Sequence, residues 1–197
     1  VLFRLVLADI DGTLYGFDRI FTEETRQALN DLHKKGYLVG LASGRAVSFM
    51  RSYSKDWGLD FEFDAYVGMN GALVYDTLKD KQINGPTLTK QEVLDVFENM
   101  APLNLNGELY CTDDVSYIMH MDEEIERSIK LGRGLKNFII LNDDLSVLDK
   151  VDTYRIMFRV PGEMEKVEEY VACHPFHGAE GFRTQKWCYE VMKKGVN

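Results

Sequence analysis

The sequence predicts an α/β protein, a Rossmann-like, doubly wound parallel sheet with an inserted α+β module. Apolar strand patterns alternate with helix patterns over the first part of the chain, which is typical of right-handed parallel sheets. After about residue 80 this alternation gives way to antiparallel strand patterns. The composition, 45% hydrophobic and 28% charged, is that of an ordinary globular protein.

Residues 1–80 are predicted to form the first part of the parallel sheet. Val1–Ile10 is a nearly continuous apolar run, the pattern of a strand buried on both faces. A helix is expected to begin after Thr22, which suits an N-cap, and to end at Gly36. The elements predicted next are a strand at 37–42, a helix at 46–57 and strands at 65–69 and 72–75.

Residues 81–185 are predicted to form the inserted module. A turn-rich linker at 78–89 precedes it, and Thr89-Lys90-Gln91-Glu92 fits a capping box that opens a helix. Residues 186–197 are predicted to return to the first sheet, because the final strand again looks like a core strand. The elements predicted inside the module are strands at 108–112, 115–121, 137–141, 154–160 and 181–184 and helices at 122–131 and 163–173.

The charge balance argues against some classes of partner. The chain has 23 Lys and Arg against 32 Asp and Glu, a net charge of −9, which disfavours a nucleic-acid binder. No apolar run approaches the length of a membrane span. The three scattered cysteines lack metal-binding spacing, so we expect reduced thiols in a cytoplasmic protein. Any phosphorylated ligand must be met by local positive charge or by a metal.

Two carboxylates, Asp9 and Asp11, stand at the end of the first predicted strand. Acids are costly to bury there, and open α/β sheets bind ligands at the carboxyl ends of their strands. Gly12 lets the chain turn away so that backbone amides can approach an anion. An ordinary Asp-Gly turn is the alternative, but the strand, the acidic pair, the helix and a second strand ending in Ser-Gly-Arg together favour a ligand site. A calcium loop does not fit, because its glycine should be sixth and the sixth residue from Asp9 is Leu14.

These motifs carry a family resemblance. Asp9–Leu14 resembles the first motif of the haloacid dehalogenase (HAD) superfamily, and Leu41–Arg45 resembles its second. Asn70-Gly71-Ala72 and the long segment after it are similar to the Cof-type subfamily of sugar-phosphate phosphatases, which has an α/β cap inserted in the HAD core. The terminal Lys194–Asn197 is similar to the stretch that leads into the third-motif lysine of that subfamily.

The resemblance implies a Mg²⁺-dependent phosphatase that acts on a small phosphorylated metabolite. Asp9 would attack phosphorus and form an aspartyl phosphate, and Asp11 would serve first as the acid and then as the base. The Asp9 carboxylate and the Asp11 backbone carbonyl would hold Mg²⁺. The expected phosphate- or substrate-binding residues are Gly12, Thr13, Ser43, Gly44, Arg45 and Asn70. An ordinary surface arginine or a cap contact stays open for Arg45, and a simple turn role stays open for Asn70.

Three further alternatives stay open. A phosphomutase of the same superfamily would use the same acidic pair, and a non-catalytic module could keep the fold and bind a phosphate ligand. The superfamily also needs a third-motif lysine and a later acidic motif, which would lie beyond Asn197. We therefore expect a longer polypeptide rather than a short relative that has lost catalysis, and a first sheet that exposes apolar surface on one side.

Overall fold

The structure is a computed structural model and describes residues 4–16, 20–113, 115–130 and 137–196. The chain divides into two compact units, Val1–Gly85 and Pro86–Asn197. The observed boundary lies five residues after the predicted one, because the predicted linker contains a strand of the first unit. No helix among the described residues is long and apolar enough to cross a membrane.

The first unit is built on a five-stranded sheet in the order β1-β2-β3-β4-β5. Its strands are β1 Leu5–Asp9, β2 Leu38–Ala42, β3 Ala65–Gly68, β4 Leu73–Asp76 and β5 Lys81–Asn84, and its helices are α1 Glu23–Lys34, α2 Val47–Met50 and α3 Tyr53–Asp56. The first three strands are parallel, whereas β4 and β5 join antiparallel. The predicted α/β class is confirmed, and the sheet is mixed rather than wholly parallel.

Strand β1 differs from the prediction of a strand buried on both faces. It pairs with β2 and, among the described residues, has no partner on its other side. Leu5 is 46% exposed and Leu7 is 43% exposed. The apolar surface expected on one side of the sheet is therefore present along this edge. Residues 1–3 of the predicted strand lie outside the described residues.

The predicted helix at 46–57 is two short helices, α2 and α3, separated at Arg51 and Ser52. The Ser52 hydroxyl donates to the carbonyl oxygen of Phe49 at 3.3 Å. Such a local side-chain bond competes with the backbone ladder of a helix, which accounts for the break. The helix predicted after Thr22 is confirmed, and the Thr22 hydroxyl accepts from the Thr25 amide at 3.2 Å.

The second unit is built on a six-stranded sheet in the order β10-β11-β9-β6-β7-β8. Its strands are β6 Gly107–Cys111, β7 Ser116–Ile118, β8 Phe138–Ile140, β9 Thr153–Arg159, β10 Ala179–Gln185 and β11 Cys188–Lys193, and its helices are α4 Lys90–Met100, α5 Glu123–Lys130 and α6 Met164–Cys173. Among the described strands of this sheet, β7 and β8 pair in parallel, and the other neighbouring strands pair antiparallel. The capping box at the start of α4 is present as predicted.

The prediction that residues 186–197 return to the first sheet is wrong. Strand β11 pairs antiparallel with β9 and β10 and lies inside the second sheet. Val191 and Met192 point to opposite faces of this strand, and both are fully buried. Burial on both faces gives a mostly apolar pattern, interrupted by Glu190, and that pattern resembles a parallel core strand. Asn197 lies outside the described residues.

Strand β5 was missed because its sequence, Lys81-Gln82-Ile83-Asn84, is polar and resembles a linker. All four of its residues are exposed. It continues the first sheet as a hairpin with β4, with Leu73 opposite Asn84. The observed unit boundary therefore follows Gly85 rather than residue 80.

Candidate active site

The eight residues predicted to form the site follow three neighbouring strands. Asp9, at the end of β1, pairs with Ala42 at the end of β2, and Ala42 in turn pairs with Val67 near the end of β3. Because the three strands are parallel, the segments after them emerge at the same edge of the sheet. The structure thus brings the two sequence motifs, Asp9–Leu14 and Leu41–Arg45, and the Asn70 turn to one edge of the sheet.

The segment after β1 is a compact turn. Gly12 has φ +91°, a conformation that favours glycine, and its amide donates to the carbonyl oxygen of Tyr15 at 2.9 Å. The Leu14 amide donates to the carbonyl oxygen of Asp9 at 3.2 Å, and the Leu14 side chain is buried. This turn holds Thr13 against the strand end, where the Thr13 hydroxyl donates to Asp9 Oδ2 at 3.3 Å.

Asp11 is held by Arg45 in a two-point ion pair. Arg45 Nε donates to Asp11 Oδ2 at 2.9 Å, and Nη2 donates to Oδ1 at 2.6 Å. The Arg45 side chain is 39% exposed and the Asp11 side chain is 54% exposed. The hydrogen bond to Asp11 raises the pKa of Arg45, although partial burial acts in the opposite direction. The sequence leaves open a phosphate contact, a cap contact and a surface position for Arg45, and it does not predict this pairing.

Ser43 and Gly44 form the short connection between β2 and Arg45. The Ser43 amide donates to the carbonyl oxygen of Val67 at 2.9 Å, which ties this connection to β3. The Ser43 hydroxyl accepts from the Arg45 amide at 3.3 Å. Ser43 and Gly44 are both half-buried. Their roles in binding phosphate stay predictions.

Asn70 lies in a left-handed turn directly after β3. Met69, Asn70 and Gly71 have φ values of 51°, 52° and 96°. A run of positive φ with two non-glycine residues is uncommon and costs conformational energy. The Met69 amide donates to the carbonyl oxygen of Arg45 at 3.1 Å, so this turn is joined to the Arg45 segment. Whether Asn70 contacts substrate stays a prediction.

Three aromatic residues that the sequence did not assign to the site lie beside it. The Tyr53 hydroxyl accepts from Arg45 Nη1 at 2.6 Å. The Tyr53 ring stacks on Trp57 with 4.5 Å between ring centroids, and Trp57 Nε1 donates to the Tyr15 hydroxyl at 2.9 Å. Burial raises the pKa of Tyr53, and the nearby Arg45 opposes this shift only in part. The phenol therefore stays protonated at neutral pH. The i, i+4 spacing of Tyr53 and Trp57 was the available signal, but it resembled an ordinary core face.

The donor set suits Mg²⁺ in chemistry but supplies few protein ligands. Among the described residues, no group of three or more His, Cys, Asp or Glu side chains could hold a metal ion. Asp9 offers an exposed carboxylate, whereas both carboxylate oxygens of Asp11 are engaged by Arg45. Mg²⁺ prefers oxygen ligands and usually keeps several waters and substrate phosphate oxygens. Asp9 and a backbone carbonyl therefore fit the protein's share of such a site.

The chain belongs to the haloacid dehalogenase-like hydrolases, since the model of that family matches residues 6–197. The resemblance found in the motifs is thereby confirmed. A Bacillus subtilis protein, "Putative phosphatase YxeH", is 28% identical over 97 residues. That match covers 49% of this chain and 36% of the relative, so it spans about a third of the curated relative's length.

Solved structures share the fold over the whole chain. TM0651 from Thermotoga maritima is 23% identical with a TM-score of 0.79, and the match covers 100% of this chain and 71% of that one. BT4131, described as a subclass IIB sugar phosphatase of the superfamily, is 20% identical with a TM-score of 0.73. That match covers 98% of this chain and 71% of BT4131. At these identities the likeness establishes the fold, with a Rossmann-like unit and a cap-type unit.

Proposed function

We infer that the protein is a phosphatase that hydrolyses a small phosphorylated metabolite through an aspartyl phosphate at Asp9. The observation that carries this proposal is the placement of Asp9. Its carboxylate is exposed at the carboxyl end of β1, it is oriented by the Thr13 hydroxyl, and a second carboxylate follows two residues later. A nucleophile, an orienting donor and an acid/base group at one sheet edge form the set that covalent phosphoryl transfer requires.

The reaction would proceed in two displacements. In the first, an Asp9 carboxylate oxygen forms a bond to phosphorus while the bond from phosphorus to the leaving oxygen breaks, and protonated Asp11 gives its proton to that oxygen. In the second, Asp11 takes a proton from a water molecule as the water oxygen attacks phosphorus. Asp9 then leaves as a carboxylate and inorganic phosphate is released.

The surroundings of Asp9 would bind the phosphoryl group. The hydroxyls of Thr13 and Ser43, and the Thr13 amide after Gly12, lie just after the ends of β1 and β2 and would donate to the phosphoryl oxygens. Donors of this kind stabilise the charge on the equatorial oxygens as the group transfers. When bound, Mg²⁺ would neutralise phosphate charge, with the Asp9 carboxylate and the Asp11 carbonyl oxygen as the residues that hold it.

A sugar phosphate is the substrate class that we favour, because BT4131, which shares the fold, is described as a sugar phosphatase. Three free cysteines, two of them buried, support the expectation of a reducing, cytoplasmic environment. The acidic net charge of −9 supports the expectation that nucleic acid is not a partner.

A screen of small phosphate monoesters tests the proposal, using the natural polypeptide that contains residues 1–197, with Mg²⁺ and with excess chelator. We expect release of inorganic phosphate with Mg²⁺ and its loss with chelator or in Asp9→Asn. Asp60→Asn, which changes an exposed aspartate paired with Lys34, is the control and should keep full activity. Hydrolysis that survives Asp9→Asn would overturn the assignment. Phosphate returned to the sugar instead of released would indicate a phosphomutase, and tight phosphate binding without turnover would indicate a binding module.

A further inference from the structure

The ion pair between Arg45 and Asp11 occupies the group that is assigned the acid/base role. A general acid or base must bring a carboxylate oxygen within hydrogen-bond reach of the leaving oxygen. In the structure, each oxygen of Asp11 accepts a hydrogen bond from the guanidinium, at 2.9 and 2.6 Å. While both oxygens are held in this fork, neither can reach the leaving oxygen of a substrate. The ion pair must therefore open before Asp11 can act.

Arg45 is the part of the pair that has an alternative partner. A guanidinium presents a planar fork that matches a phosphate as well as it matches a carboxylate. A phosphate dianion carries more charge than Asp11, so it competes effectively for the same donors. The pair is also partly exposed, so water can replace the hydrogen bonds that Asp11 loses when the pair opens. An incoming phosphate can therefore displace Asp11 from Arg45.

Tyr53 determines where the Arg45 guanidinium lies when it changes partner. Its hydroxyl accepts from Nη1, the one guanidinium nitrogen that does not contact Asp11 in the described contacts. Its ring is stacked on Trp57, which is 7% exposed and hydrogen-bonded to Tyr15. Because the Tyr53 hydroxyl holds Nη1 of Arg45 in place, the other two guanidinium nitrogens, Nε and Nη2, can exchange the Asp11 carboxylate for a phosphate.

We propose that Arg45 is an exchange residue: it holds both carboxylate oxygens of Asp11 before substrate binds and moves its fork to the phosphoryl oxygens when phosphate binds, with Tyr53 as the residue that positions it. Asp11, once released, is free to reach the leaving oxygen. The exchange couples the release of Asp11 to the arrival of phosphate. It rests on the proposed phosphatase function, since it concerns the same site.

Binding of inorganic phosphate tests the exchange without turnover. Phosphate affinity is measured by calorimetry in Mg²⁺, in the natural polypeptide that contains residues 1–197, for Asp11→Asn, Arg45→Gln and the double variant. Asp11→Asn should bind phosphate roughly threefold to tenfold more tightly, because Arg45 no longer has to leave a carboxylate. The gain should be clearly smaller in the Arg45→Gln background, where only general charge repulsion is relieved. Asp60→Asn, an exposed ion-paired aspartate, should leave the affinity unchanged.

Tyr53→Phe tests the positioning role, because it keeps the aromatic stack and removes the hydroxyl. Phosphate binding should weaken severalfold when Arg45 is present and should not change in the Arg45→Gln background, with an unchanged thermal midpoint. Equal gains from Asp11→Asn in both backgrounds would overturn the exchange while leaving the phosphatase proposal intact. Equal losses from Tyr53→Phe in both would overturn the role of Tyr53. A wild-type protein that does not bind phosphate at all would overturn the exchange and the proposed function together.

Discussion

The carbonyl oxygen of Arg45 lies 2.9 Å from the position that a Cβ atom on Gly68 would occupy. Real Cβ contacts are almost never shorter than 3.0 Å, and the obstacle is backbone rather than a flexible side-chain end. The last residue of β3 is therefore glycine because the Arg45 segment passes directly over it. This close approach joins the Arg45 segment to the third strand of the sheet.

Gly68→Ala should displace Arg45 and destabilise the protein by about 1–3 kcal/mol, the usual cost of forcing a methyl group into packed surroundings. Urea unfolding measures the stability, and calorimetry measures the phosphate affinity, which should fall as well. Gly162→Ala is the matched control, because no atom lies within 4 Å of its added Cβ. Equal effects of the two substitutions would contradict the close approach.

Thr13→Val should lower kcat/KM about tenfold, equivalent to about 1.4 kcal/mol of transition-state stabilisation. The reason is loss of the only described side-chain donor to Asp9, at 3.3 Å. Thr13→Ser keeps the hydroxyl and should keep most of the activity. The measurement is steady-state kinetics on the best substrate from the screen, in the natural polypeptide. If Thr13→Val were as active as wild type, Thr13 would not orient the nucleophile.

The contact between Glu92 and Lys193 should make the stability of the second unit depend on pH. Burial alone would raise the pKa of Glu92, but hydrogen bonds from Lys193 and Thr89 outweigh it and lower that pKa. Because the folded pKa is below the unfolded value of about 4.3, the stabilisation is complete above that pH and is lost as the pH falls through the folded pKa.

Glu92→Gln should therefore destabilise the protein by about 1 kcal/mol at pH 7 and by clearly less at pH 3. Chemical unfolding at the two pH values measures this difference. Glu98→Gln, at an exposed position of the same helix, serves as the control and should change little at either pH. A destabilisation that is the same at both pH values would refute the linkage.

The buried ion pair between Arg155 and Glu190 should matter far more than an exposed one. Arg155 Nη1 donates to Glu190 Oε1 at 2.9 Å, and their side chains are 9% and 7% exposed. Arg155→Met removes the guanidinium from the buried Glu190 carboxylate and should cost about 3–5 kcal/mol of unfolding free energy. Arg127→Met, in an exposed pair, should cost no more than about 0.5 kcal/mol. Equal costs in thermal or urea unfolding would show that burial does not govern the Arg155 pair.

The sequence predicted the location of the candidate site better than its internal contacts. Asp9 and Ser43 follow apolar strands, and parallel strands end at one edge, so their proximity follows from topology. The pairing of Arg45 with Asp11, and the support from Tyr53, depend on which way side chains turn after the strands end. Hydrophobic periodicity gives no information on these side-chain directions after a strand ends, so the Arg45–Asp11 pairing could be found only from the structure.

The predictions for β11 and β5 failed because the local pattern of a strand does not show which sheet the strand joins. The apolar pattern of β11 is that of burial on both faces, and the second sheet provides that burial as well as a parallel core would. The polar, exposed pattern of β5 is equally suited to a linker and to a solvated edge strand. By contrast, the Thr89–Glu92 capping box was predictable because capping is a local interaction.

The central claim is that Asp9 is the nucleophile, and trapping the covalent intermediate tests it most directly. The natural polypeptide that contains residues 1–197 is mixed with phosphorus-labelled substrate, quenched in acid during turnover and digested for mass spectrometry. The account predicts label on the peptide that carries Asp9, its removal by hydroxylamine, and no label in Asp9→Asn. Turnover with label on another residue, or with no covalent label at any time point, would contradict it.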